Sequence, residues 1–118
     1  MSQLFTPRAA REIALSLHST LADAARLYRA LERRAPPPGS AERPVDRAYF
    51  VGVSRLVAAL ERVRTSGAEV GDLRRGRLRF PARRAGRDVV LWWELSEPQA
   101  VWHGAARAED DGGWEERG

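Results

Sequence analysis

The hydrophobic period of this chain changes once, from three-and-a-half residues to two, and that change limits the fold more than any other feature. Within residues 6–34, Ala10, Ala14, Leu17, Leu21, Ala24, Tyr28 and Leu31 recur in alternating steps of four and three. This spacing lines one face of a helix with a heptad seam. Ile13, Thr20 and Leu27 widen the stripe, while Arg8, Arg11, Glu12, Arg26, Arg29 and Arg33 take the opposite face. Thr6-Pro7 supplies the start: a hydroxyl that accepts from an orphan N–H, then a proline whose φ is preset for the first helical position. Tyr49, Val53, Leu56, Leu60 and Val63 repeat the same steps, with Phe50 and Val57 beside them. Gly67 stands where a left-handed cap would stop this second helix. Between the two lies APPPGSAERP, residues 35–44, which cannot continue a helix. The expectation is a long antiparallel two-helix hairpin, 7–34 and 45–66, with a coiled-coil-like seam that pairs Leu21 with Leu56 and Leu17 with Leu60.

After Gly67 the apolar residues alternate. Arg77-Leu78-Arg79-Phe80 reads as a strand, 81–87 as a turn with Ala85-Gly86 at its tip, and 89–95 as a β-branched and aromatic strand. Ser96-Glu97-Pro98-Gln99 is a second turn and 100–103 a third strand. A small three-stranded antiparallel β-meander within 69–103 is therefore expected to lie on the hairpin. Residues 104–118 hold five acids, four glycines and one tryptophan, which reads as an acidic flexible tail over 105–118. The fold class is α+β, with one domain over residues 1–104.

Length and composition narrow the rest. A chain of 118 residues, 43% hydrophobic and 31% charged, can build one core and is not globally disordered. No apolar run exceeds five residues, from Val89 to Trp93, so no membrane span is expected. The opening MSQLFTPR lacks the apolar stretch of a secretion signal, and the expectation is a cytoplasmic protein. The absence of cysteine removes disulfides, thiol catalysis and cysteine-held metals. All 20 cationic side chains are arginine, the mark of a GC-rich coding sequence, so the net charge of +4 is weak evidence for a nucleic-acid partner.

Three functional readings follow. Strands of five residues cover only about 17–20 Å, so the hairpin outreaches the meander. Its far end, bearing Leu27, Tyr28, Leu31, Tyr49, Phe50 and Val53, is expected to bury its apolar surface in a homodimer or against a protein partner. Arg74, Arg75, Arg77, Arg79, Arg83, Arg84 and Arg87 crowd one hairpin with no acid among them. That ribbon could neutralise phosphates of RNA or DNA while Trp92, Trp93 or Trp102 stacks on bases. Residues 1–108 carry 19 arginines against 11 acids, and the acidic tail would emerge close enough to shield them. Finally, Asp72, Glu97 and His103 could form a degenerate metal or small-ligand site; Glu94 is also near, and His18 reads as a helix-surface residue. Metal sites need three or four ligands at set spacing, and no HExxH, CxxC, GxSxG or Gly-rich phosphate loop is present. A non-enzymatic protein without a cofactor is expected.

The motif DLRRGRLRFPARRAGRDVVLWWELSE followed by PQAVWH, with LFTPRAA at the start, resembles the bacterial domain-of-unknown-function family 2203 along nearly the whole chain. The resemblance rests on Asp72-Leu73, Gly76, Phe80-Pro81, Gly86-Arg87, Trp93, Glu97 and Trp102-His103. It implies this fold without an assigned activity, and it implies that Asp72, Arg87, Glu97 and His103 would carry any family site. Trp92 and Arg79 depart from the family's usual Cys and Asp, and the acidic tail replaces its usual ending, so such a site would be degraded here.

Overall fold

The computed structural model describes residues 3–34, 47–108 and 112–116. The Pro-rich loop 35–44, the first two residues of the expected second helix and residues 109–111 lie outside that set. Among the described residues there are three helices, α1 (Pro7–Ser16), α2 (His18–Arg34) and α3 (Arg47–Thr65). One antiparallel sheet follows, with strands β1 (Glu69–Asp72), β2 (Arg77–Arg84), β3 (Arg87–Glu94), β4 (Trp102–His103) and β5 (Ala106–Arg107) in sequence order. The α+β class holds; the three-stranded meander is corrected to five strands.

The N-terminal helix starts as its residues dictate. Thr6 is extended, its Oγ1 accepts from the Ala9 N–H at 3.2 Å, and Pro7 occupies the first turn. The expected continuous helix over 7–34 breaks at Leu17. There the Ser16 hydroxyl donates to the Ile13 carbonyl at 2.6 Å, and the Leu17 N–H is shared between the Ile13 and Ala14 carbonyls, both at 3.1 Å. A serine that bonds back to the preceding turn competes for the ladder and bends the helix. The seam survives the break, since Ala10, Ala14, Leu17, Leu21 and Ala24 are all buried. Leu31 of α2 lies against Gly52 of α3, while Val63 joins Leu17 and Leu21 in one buried cluster, so α2 and α3 run in opposite directions. Helix α1 packs on β3 and α3 on β1.

In the sheet, alternation decides what is core. Leu78, Phe80, Ala82, Leu91 and Trp93 are buried and form one face, as period two requires. Phe5 meets Phe80 edge-on at 5.0 Å, and the Trp93 indole N–H donates to the Pro98 carbonyl at 2.9 Å. Pro81 belongs to β2 and not to the turn expected at 81–87. It is tolerated because β1 has already ended: β1 pairs with β2 only through Arg77, Leu78 and Arg79, so no strand needs the missing N–H. The freed edge is covered by both ends of the chain. The Phe5 N–H donates to the Pro81 carbonyl and the Glu115 N–H to the Arg83 carbonyl, each at 2.9 Å. The turn tip is Ala85-Gly86 as expected, with φ of 52° and 76°, the two-residue geometry that matches strand twist.

The extra strands come from the ends of the motif region. Residues 69–72 extend after the Gly67 cap and pair with β2, leaving Gly71 unpaired in a bulge between Val70 and Asp72. Gly104, at φ 60°, turns the chain so that β5 pairs with β4. Residues assigned to the tail thus behave differently: Ala108 is buried, and Trp114 is buried and bridges Arg84.

Candidate functional site

The outward face of the sheet holds the arginines. On β2, Arg77, Arg79 and Arg83 alternate with the core residues, and register sets each opposite a carboxylate or an indole. Arg77 reaches Glu94 at 3.2 Å, Arg79 reaches Glu69 at 3.8 Å and Arg83 reaches Asp88 at 3.0 Å. The guanidinium carbons of Arg77 and Arg79 stand 5.6 and 5.5 Å from the Trp92 ring centre. Trp92 pairs with Trp102 across β3 and β4, and Arg107 covers Trp102 at 5.4 Å. The Gly71 bulge is what lets the Trp92 ring lie there, since a Cβ at Gly71 would come within 2.5 Å of it.

Three of the remaining four arginines of the ribbon are also engaged. Arg75 pairs with Asp72 at 3.8 Å, Arg84 stacks on Trp114 at 5.1 Å, and Arg74 pairs with Glu32 of α2. That last contact, with the Arg29 guanidinium donating to the Arg74 carbonyl at 2.8 Å, ties the β1–β2 turn to the last turns of α2. The hydrogen bond from Arg74 holds the Glu32 carboxyl below its usual range, and Glu32 raises Arg74 in return. Among the described residues, Arg87 alone of the seven has no partner. A ribbon whose cations already sit on carboxylates and indoles has less free charge than its sequence advertises.

The third group of residues does not converge. His103 is half-buried on β4, and its ring meets Trp114 edge-on at 5.4 Å. Asp72 accepts from the Arg75 N–H at 3.3 Å. Glu97 faces Arg107 at 3.5 Å and lines a hollow of about 440 Å³ with Arg77, Trp92, Glu94, Trp102 and Gly104; neither Asp72 nor His103 lines it. The polar groups of this hollow are taken, because Glu94 also accepts from the Ser96 hydroxyl at 2.9 Å. Among the described residues, no group of three or more His, Asp or Glu side chains could hold a metal ion. His18 is exposed and meets the Trp93 ring edge-on at 6.1 Å.

On the sheet face most of the arginines are paired, whereas apolar surface on α3 is left open. Leu27, Tyr28, Leu31, Tyr49 and Val53 are half-buried. Phe50 is 58% exposed, and Val51 and Val57, neither among the expected interface residues, are 50% and 55% exposed. Together with Ser54 and Ala58, also exposed, they lie on the flank of α3 turned away from α2. Phe50, Val51, Ser54 and Ala58 border an open groove of about 470 Å³. The bare surface is therefore one long side of α3. The sequence held a signal for it in Phe50 and Val57, seven residues apart outside the main seam.

The tail residues 112–116 return to the arginine hairpin. Besides the bridge to Arg84, the Glu115 carboxylate accepts from the Gly86 N–H at 3.3 Å. No helix among the described residues is long and apolar enough to cross a membrane.

Fold and surface define a small α+β protein with a self-neutralised sheet face and one uncovered helix flank. A family model described as "Uncharacterized conserved protein (DUF2203)" matches residues 3–117, and the chain belongs to that family. No curated protein and no solved structure matches it.

Proposed function

We propose that this protein is a non-enzymatic association module that acts by binding a second copy of itself. The observation that carries this reading is the strip of Phe50, Val51 and Val57, each at least half exposed on one side of α3. Three large apolar side chains aligned on a helix form a contiguous patch, and such patches are interfaces more often than free surface. The strip from Phe50 to Val57 runs along about 10 Å of helix at 1.5 Å per residue. That is short for a standard interface, so the expected dimer is weak and concentration-dependent.

Binding of RNA or DNA through the Arg74–Arg87 ribbon has less support, because six of its seven arginines are engaged within the chain. A ligand or metal site at Asp72, Glu97 and His103 has less still, since these residues have separate partners. Light scattering tests the leading reading. Wild-type protein should approach dimer mass at about 100 micromolar, and Val57→Arg should be monomeric with unchanged circular dichroism. A wild-type monomer at that concentration would overturn it.

A further inference from the structure

We propose that two copies pair α3 against α3, antiparallel, about a two-fold axis that passes between the Ser54 residues of the two copies. This rests on the self-association reading above and specifies its geometry. At about 100° per residue, Arg47, Phe50, Val51, Ser54, Val57, Ala58 and Glu61 lie within about 60° of one line along α3 centred on Ser54. All seven are exposed. Their order is complementary about that centre. Val51 and Val57 stand three residues to either side of Ser54, Phe50 and Ala58 four, and Arg47 and Glu61 seven.

A two-fold axis perpendicular to a helix sets each position opposite the one equally far on the other side. Valine then meets valine, the Phe50 ring lies over the small Ala58, and Arg47 meets Glu61, each contact made twice. Ser54 at the crossing is small enough for the backbones to approach at the close end of the usual 8–10 Å, roughly. The groove beside Ser54 and Ala58, about 470 Å³, gives room for Phe50 of the second copy. A parallel pairing would instead set Arg47 against Arg47, Glu61 against Glu61 and Phe50 against Phe50. Like charges and ring collisions disfavour it. Within its own chain Glu61 pairs with Arg64 at 2.9 Å, an exposed i,i+3 contact of small value, so its carboxylate can be shared with an incoming arginine.

The chain has no cysteine, so single substitutions report the geometry directly. Ser54→Cys should give a disulfide-linked dimer under mild oxidation, because an axial position brings the two α-carbons within about 7 Å. Ser19→Cys, exposed on α2, should link far more slowly. Val51→Cys mixed with Val57→Cys should link better than either alone. Arg47→Glu and Glu61→Arg should each weaken the dimer by about 3- to 10-fold, and the double variant should recover most of that loss. If the wild type is a dimer but Ser54→Cys links no faster than Ser19→Cys, or the charge swap fails to recover, this pairing is wrong while self-association stands. If the wild type is a monomer, both proposals fall together.

Discussion

Replacing Trp114 with alanine isolates how much the C-terminal segment contributes to the fold. Trp114 is 8% exposed, so about 200 Å² of indole leaves water, a gross gain of about 5 kcal/mol at 25 cal/mol per Å². Arg84 stacks on its ring at 5.1 Å and His103 meets it at 5.4 Å. The Glu115 N–H bonds to the Arg83 carbonyl at 2.9 Å. Against this stands the ordering of residues 112–116, at about 1–2 kcal/mol for each backbone unit. The two sides nearly cancel, and the segment docks by a small margin. In a closed core Trp→Ala costs about 3–5 kcal/mol because a cavity remains. Here the segment can leave and regain its freedom. Trp114→Ala should therefore cost about 1–3 kcal/mol, a fall in Tm of about 4–12 °C for a domain of this size. Deleting residues 109–118, which removes Trp114 together with its segment, should cost about the same amount. Thermal melts followed by circular dichroism measure both. A Tm within about 1 °C of wild type for Trp114→Ala would show that the ring does not hold the segment. A deletion much costlier than Trp114→Ala would show that other contacts do.

Two further outcomes are expected from the fold. Gly76 has φ +66°, and a Cβ there would stand 2.1 Å from the Leu95 side chain, whereas Gly86, at φ +76°, has open space around it. Gly76→Ala should thus cost about 2–4 kcal/mol from strain and overpacking together, and Gly86→Ala about 1 kcal/mol from strain alone; equal losses in urea titrations would contradict the Leu95 contact. The hydrogen bond from Arg74 depresses Glu32 in the folded state. Its contribution is present above the unfolded carboxyl range and is lost as pH falls through the lower folded value. Wild type should exceed Glu32→Gln in Tm at neutral pH, and the two should converge in acid; a constant gap would refute the ion pair.

The residues themselves determined the elements that depend on local chemistry. Thr6-Pro7 starts a helix because an oxygen and a preset φ are all a first turn requires. Ala85-Gly86 turns a hairpin, and the seam from Ala10 to Ala24 is buried, because period alone decides which side of a helix is apolar. Ser16 was equally visible, yet its bond to Ile13 matters only once the helix has formed around it. Tertiary structure decided what depends on partners distant in sequence. The seven arginines read as free charge until register brought Glu69, Asp88 and Glu94 opposite three of them. Trp114 read as solvated until the bare edge of β2 offered its carbonyls. Pro81 read as a turn because its tolerance as a strand residue depends on where another strand stops. A sequence shows which positions of a helix are apolar, and only packing reveals which of them stay bare; that is why the flank of α3 from Arg47 to Glu61, signalled in the sequence by Phe50 and Val57 alone, emerged from the fold.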